Sequence, residues 1–267
     1  MGRYVITGGN SGIGLEIARG FVSKGHEVVL LGRSQQKNDA AAGALGSKAK
    51  ALAVDLSTNA GVREAAKQLG DAPIDGLVHS AGMLTLKDER TADDLHPVFA
   101  VNYLSRYHLT QFLRPQLRAA PTPTVILIVA GVPLDTKLDF SQFPRFKPFP
   151  GMGALSQIQI ANHYWASVFV KEEPRVKLAL CNVGLVKTEI MRAMPLAFRI
   201  GFTVLTPVVG VSLHKAAANP LHLATSEGWA SGSYFPKPGR TDVSQPVKVD
   251  DATAQRVVAA SRELTGA

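Results

Sequence analysis

The sequence predicts an α/β fold, a doubly wound parallel sheet in a single domain over residues 1–267. Three observations carry that prediction. An apolar run, a glycine-rich turn and an amphipathic stretch follow one another between Tyr4 and Phe21, as strand, turn and helix. Short apolar runs and helix-patterned stretches then alternate along the chain, the signature of parallel strands joined by right-handed crossover helices. No Pro/Ser-rich linker, low-complexity tract or internal repeat interrupts it, and 267 residues with 46% hydrophobic content are enough for one buried core.

The opening segment is the most informative. Tyr4-Val5-Ile6 reads as a strand, Thr7-Gly8-Gly9-Asn10-Ser11-Gly12-Ile13-Gly14 as a turn, and Leu15 to Phe21 as a helix. Glycine accepts positive φ and, lacking Cβ, lets backbone approach a ligand closely. The helix then aims its unpaired N–H groups and positive dipole end at the turn, which suits a phosphate.

The next elements refine what that phosphate belongs to. His26 to Arg33 reads as a second buried strand. Dinucleotide sites that prefer NAD place an acid near such a strand end to bind the ribose 2′-hydroxyl. Here Gly32, Arg33 and Ser34 stand there, with Lys37 a turn later. A guanidinium and a hydroxyl suit a 2′-phosphate, so NADP(H) is expected over NAD(H). Asn38 and Asp39 are candidate N-caps for a helix over Ala40 to Ala44. Ala51 to Leu56 is a third strand, and Asp55 at its tip either meets an adenine amino group or caps a helix over Gly61 to Leu69. Ile74 to His79 is a fourth strand, followed by Ser80-Ala81-Gly82, small enough for a nicotinamide ribose to lie against the backbone.

The second half continues the alternation. A long helix is expected from Leu95 to Leu113, a fifth strand from Val125 to Val129, and a polar, Phe- and Pro-rich loop from Asp135 to Pro150. A helix over Ala154 to Val170 and a sixth strand over Val176 to Cys181 follow. Ala197 to Leu213 is apolar but broken by Arg199 and Pro207, too interrupted to span a bilayer. It reads as a lid, at about 190–215, over an apolar substrate pocket; a core, dimer or membrane-surface helix is the alternative. A short helix near Pro220 to Thr225 and a turn at Ala230 to Phe235 come last.

Composition narrows the partners. The net charge is +8 and the sequence pI about 9.7, but the basic residues are scattered and no nucleic-acid motif accompanies them. An anionic small ligand is expected, and neither nucleic acid nor a metal ion. The single cysteine, Cys181, allows no internal disulfide and fits a reducing compartment. With the first strand close to Met1, no signal peptide is expected, and a cytoplasmic location is.

Taken together, these motifs resemble the short-chain dehydrogenase/reductase family, a Rossmann-type fold, over nearly the whole chain. Thr7 to Gly14 matches its T-G-x-x-x-G-x-G turn, and His79-Ser80-Ala81-Gly82 stands where it has N-N-A-G. Gly184 to Thr188 matches its P-G-x-x-x-T segment, with Val183 for the proline. Arg33, the Ala161-Asn162 pair and Ser231 to Phe235 look most like the retinol-dehydrogenase-like branch. The resemblance implies cofactor contacts at Thr7, Gly8, Asn10, Ser11, Gly12, Ile13, Gly14, Arg33, Ser34, Asp55, Leu56, Ser80, Ala81, Gly82, Gln159, Gly184, Val186 and Thr188. It also implies that Asn102 is the family's catalytic asparagine, and that dimers or tetramers are expected.

The catalytic positions depart from the pattern. The family has a serine after the fifth strand, then a tyrosine and a lysine four residues apart on the next helix. Aligned on Ala161-Asn162, this chain has Gly131, Leu155 and Gln159 there. Leu155 cannot donate a proton, and Gln159 carries no charge to lower a phenol pKa. Three functions follow: an oxidoreductase with relocated acid/base groups, a non-redox cyclase or isomerase, or an inactive NADP(H)-binding partner subunit. Relocated groups are sought among His79, Asn102, Asp135, Gln159 and Lys187.

Overall fold

The computed structural model describes residues 1–186 and 210–266. Eight strands form one sheet in the order β3-β2-β1-β4-β5-β6-β7-β8. They are β1 (Arg3–Thr7), β2 (Glu27–Gly32), β3 (Ala49–Ala53), β4 (Gly76–His79), β5 (Thr124–Val129), β6 (Lys177–Asn182), β7 (Ser233–Phe235) and β8 (Gln245–Pro246). All neighbouring pairs are parallel except β7 with β8. The chain winds outward in both directions from β1 and β4, which leaves a crevice at their carboxyl ends, where ligands of such sheets sit.

Helices cover both faces. On one face, α1 (Gly12–Ser23), α2 (Gln35–Leu45) and α6 (Leu213–Thr225) pack residues such as Phe21, Ala41 and Leu223 against Ile6, Leu30 and Cys181. On the other lie α3 (Asn59–Leu69), α4, α5 (Met152–Glu172) and α7 (Asp251–Thr265), burying Val62, Tyr103, Trp165 and Val257 against Val5, Leu127 and Leu180. Helix α4 has three consecutive parts: a turn at Pro97–Phe99, a π-helical segment at Ala100–Leu104, and an α-helix at Ser105–Arg118. The predicted helix from Leu95 to Leu113 is this element, one turn longer. The segment from Asp135 to Pro150 carries no helix or strand, yet it buries Phe143 and Phe146 around Phe99.

Several expectations are corrected. Helix α2 begins at Gln35, with Ser34 as its N-cap accepting from the Lys37 N–H, so neither Asn38 nor Asp39 is a cap. Starting earlier turns Asn38 inward. Its Nδ2 donates to the Gly32 and Leu52 carbonyls, both at 3.0 Å, and its Oδ1 accepts from Asn10 Nδ2 at 2.7 Å. Strand β3 ends at Ala53, not Leu56, and Thr58 caps α3, so Asp55 is a loop residue and not the cap. The turn predicted at Ala230 to Phe235 contains β7, held by pairing with β6. The helix predicted near Pro220 begins at Leu213, so the end of the predicted lid interval is the first turn of α6; residues 190–209 of that interval lie outside the described residues.

Strand β8 and helix α7 are additions. Asp250 caps α7 by accepting from the Thr253 N–H, and Ala254, Val257 and Val258 face the core. Tyr103 Oη and Ser261 Oγ, 2.8 Å apart and buried, tie α7 to α4.

Asn38 bonds three partners from a fully buried position, so removing its amide breaks three hydrogen bonds, the Gly32 carbonyl keeping the Val54 N–H. Asn38→Ala is expected to lower unfolding free energy by about 2–4 kcal/mol in urea titrations.

Candidate functional site

The crevice is built by close backbone approach. Gly8 has φ +64°, and a Cβ there would lie 2.8 Å from Ala81 Cα. A Cβ on Gly14 would lie 2.4 Å from the Gly8 carbonyl oxygen. The β1–α1 turn is thus pressed against the loop after β4, and the Ala81 N–H donates to Thr7 Oγ1 at 3.0 Å. Ser11, exposed, is the N-cap of α1 but its side chain makes no capping bond. The first N–H groups of α1, which no helix pairs internally, therefore have no side-chain cap. Gly12, at φ +54°, and half-buried Ile13 complete the first turn. Such a cradle fits a diphosphate. The Asn10 amide is spent on Asn38, so its role is to hold the turn in shape.

The other predicted residues fall into four groups. At the β2 end, Arg33 is exposed and makes no hydrogen bond or ion pair with the described residues, whereas the Ser34 oxygen caps α2. Exposed Asp55 accepts from the Ser57 N–H and hydroxyl, and Leu56 beside it is buried. Along the β4 loop, Ser80 and Ala81 are half-buried and Gly82 is exposed. After β6, Gly184 has φ +71° and Val186 is buried, bridging to Val211. Lys187 and Thr188 lie outside the described residues.

At the corner that holds Asn102, Gly131, Leu155 and Gln159, side-chain amides bond backbone groups. Asn102, on the π segment of α4, accepts from the Met83 N–H and donates to the Met83 carbonyl, both at 2.9 Å. Its side chain is therefore a clamp on the β4 loop, and its own carbonyl accepts from Asn162 Nδ2 at 3.2 Å. Gln159 Oε1 accepts from the Ala130 N–H at 3.2 Å, which fastens α5 to the end of β5. Leu155, half-buried, packs on the core. Exposed Gly131 leaves no room for a serine: a Cβ there would be 2.7 Å from Asn182 Nδ2. Asn182 is held by bonds to the Pro236 carbonyl at 3.1 Å and from the Gly184 N–H at 2.9 Å.

Of the remaining candidates, His79 is not poised for proton transfer to a ligand. His79 is buried; burial first, and then the nearby Arg106 charge, hold its imidazole well below the usual range. Thr110 Oγ1 spends its proton on the Arg106 carbonyl, so His79 Nε2 donates to Thr110 at 2.9 Å. Asp135 is exposed in the loop after β5. Among the described residues, no three His, Cys, Asp or Glu side chains converge as a metal site, and no helix is long and apolar enough to cross a membrane.

Sequence reasoning missed three residues here: Asn38, Asn182 and Arg106. The last had a signal, since Arg106 follows Asn102 by one helical turn and shares its face. The other two had none, because their partners are distant in sequence.

The fold and this crevice define a doubly wound, Rossmann-type architecture, and comparison places the chain within a family. Residues 3–135 match the short chain dehydrogenase family model, and the chain belongs to the short-chain dehydrogenase/reductase family, on its retinol-dehydrogenase-like side. It is 31% identical to dehydrogenase/reductase SDR family member 13 of Homo sapiens, over 98% of this chain and 72% of that protein. It is 28% identical to human retinol dehydrogenase 12, over 98% of this chain and 85% of the relative. Among solved structures, an uncharacterised protein from Mycobacterium paratuberculosis superposes with a TM-score of 0.76 at 23% identity, covering 100% of this chain and 94% of its own. An NADP complex of Pseudomonas aeruginosa RhlG gives a TM-score of 0.69 at 23% identity, over 90% and 96% of the two chains.

Two outcomes are expected from this geometry. Gly131→Ser should not restore fast turnover and should cost about 1–3 kcal/mol of stability, because the new Cβ displaces the doubly bonded Asn182 amide; urea unfolding and steady-state assays read both. Burial pushes His163 and His108 down to about 4. The unfolded chain takes up these protons near its ordinary imidazole pKa of about 6.5, so stability is full above that pH and falls as pH drops toward 4. His163→Gln should flatten the decline of the urea midpoint over that window.

Proposed function

We propose that this chain is an NADP(H)-dependent oxidoreductase that acts on an apolar small molecule without the family's serine, tyrosine and lysine. The observation that carries the reading is the glycine cradle, docked on the Ser80–Gly82 loop, with Arg33 at the tip of β2 exposed and without a partner among the described residues. When bound, the nicotinamide supplies or accepts a hydride. The first-turn N–H groups of α1 at Gly12, Ile13 and Gly14 would hold the diphosphate. Arg33 would pair with the 2′-phosphate, and Asp55 would face the adenine. Ser80 to Gly82 and Gln159 would line the nicotinamide ribose.

The apolar substrate rests on a second observation. Leu134, Met152, Leu185 and Leu213 are among the few large hydrophobics left exposed. All four lie just after a strand end or at a helix start, on the carboxyl edge of the sheet. An apolar rim there would take an aliphatic or aromatic body and exclude water from the reacting carbon.

Chemistry at this corner is expected to be slow. A positioned general acid contributes roughly 10²–10⁴-fold, and neither Leu155 nor the amides of Gln159, Asn182 and Asn102 provides one at neutral pH. Holding the hydride donor against the acceptor carbon still lowers the barrier, with water as the proton source. Acceptors whose reduction needs little proton assistance, such as quinones, are favoured on these grounds.

Arg33→Ala is expected to weaken NADPH binding roughly 10–100-fold while leaving NADH nearly unchanged, read by nucleotide fluorescence. Equal losses would refute the 2′-phosphate assignment. Following NADPH oxidation with hydrophobic aldehydes, ketones and quinones tests the reaction. A product at unchanged oxidation state would replace the proposal with a cyclase or isomerase, and binding without any turnover would replace it with an inactive partner subunit.

A further inference from the structure

Arg106 is the feature of the crevice that the proposed function leaves unexplained. It lies on α4, one turn after Asn102, and is only 3% exposed. Its Nη2 donates to the Ala81 carbonyl at 3.2 Å, and its Nη1 lies 3.5 Å from Asn162 Oδ1. Nε is buried with no acceptor. No carboxylate among the described residues pairs with it, and burial alone pushes the guanidinium down to about 9, which leaves it charged at neutral pH. His79 nearby is neutral and offers no counter-charge.

A buried cation without a carboxylate is costly and is rare unless something compensates it. A purely structural tie between α4 and Ala81 needs a donor but no charge. The position is also specific. Ala81 is the residue whose N–H bonds Thr7 and whose Cα faces Gly8, so Arg106 backs the wall of the cleft that carries the glycine turn. Its other partner, Asn162, donates to the Gln159 carbonyl at 3.2 Å on α5. The chain has lost a cation at Gln159 and holds one nearby on α4, out of contact with water.

We infer that Arg106 is a positioning charge that makes the cleft discriminate between the two redox forms of its dinucleotide, favouring NADPH over NADP⁺. The inference rests on the cofactor reading above. The two forms carry the same phosphates, and any attraction of a cation for those phosphates cancels in their ratio. They differ at the nicotinamide ring, which is neutral when reduced and positive when oxidised. A fixed buried cation repels only the oxidised ring, and the low-dielectric surroundings screen that repulsion little. The cleft therefore retains the reduced form and expels the oxidised form once the hydride has left. This would suit a protein working as a reductase with no tuned acid to speed the step.

The test is the ratio of dissociation constants for NADP⁺ and NADPH, measured by calorimetry on the intact chain with no substrate present. The wild type is expected to bind NADPH more tightly. Arg106→Met and Arg106→Gln should each shrink the ratio by roughly tenfold, the effect of one charge acting through protein. They should do so mainly by tightening NADP⁺ binding, an outcome that loss of structure does not produce. Arg106→Lys, which keeps the charge, should keep the ratio. Far-UV circular dichroism confirms which variants fold. If a folded neutral variant binds both forms with the wild-type ratio, or if Arg106→Lys abolishes the preference, Arg106 is only a structural tie and the inference fails alone. If the wild type binds neither form, the cofactor reading fails and the inference falls with it.

Discussion

The crevice depends on one backbone contact: the β1–α1 turn lies directly on the loop that follows β4. Two missing Cβ atoms make that possible, at Gly8 against Ala81 and at Gly14 against Gly8 itself. A methyl group on Gly8 would separate the two segments and one on Gly14 would distort the turn itself, because both obstacles are backbone and cannot rotate away. The hydrogen bond from Ala81 to Thr7 closes the contact, and the Asn10–Asn38 amide pair carries it across to the tips of β2 and β3. The open end of α1 is therefore presented to the crevice in a fixed direction. Preorganisation of this kind spares a ligand the cost of ordering the loop.

Around that frame the side chains divide sharply by chemistry. On the cradle side, main-chain donors and an arginine with no partner among the described residues are left open. On the catalytic side, Asn102, Gln159 and Asn182 all spend their amides on backbone groups. Amides neither donate nor take a proton at neutral pH, but they are effective two-way clamps. Here they tie loops and strand ends together, and a Cβ on Gly131 would lie 2.7 Å from the Asn182 amide.

Legibility followed the range of the interaction. Buried parallel strands read as continuous apolar runs, so β1, β2, β4, β5 and β6 were recognisable within a residue or two. The helix over α5 was equally clear. Errors gathered where apolar character outlasts the ladder, as at Val54 to Leu56 beyond β3. They also appear where a strand exists only through its partner, as in three-residue β7 beside β6. Helix α7 carried a readable signal, an Asp250 cap ahead of Ala254, Val257 and Val258, but its burial is set by α4 and α5.

The sequence alone determined the order of elements, the glycine turn and the residues Gly131, Leu155 and Gln159 at the positions aligned with the family's serine, tyrosine and lysine. Each of these is written in a few consecutive residues or in a fixed spacing along one helix. Tertiary structure decided what the polar side chains do. Asn38 looks like a helix cap until α2 starts one turn earlier and buries it. Asn102 stands where the resemblance places a catalytic asparagine, and only the folded chain shows Met83 taking both ends of its amide. Arg106 looks like one charge among many on a basic chain until packing removes the water around it and brings no carboxylate to meet it. Hydrogen-bond partners and desolvation come from segments tens of residues apart, and neither is encoded in any local stretch.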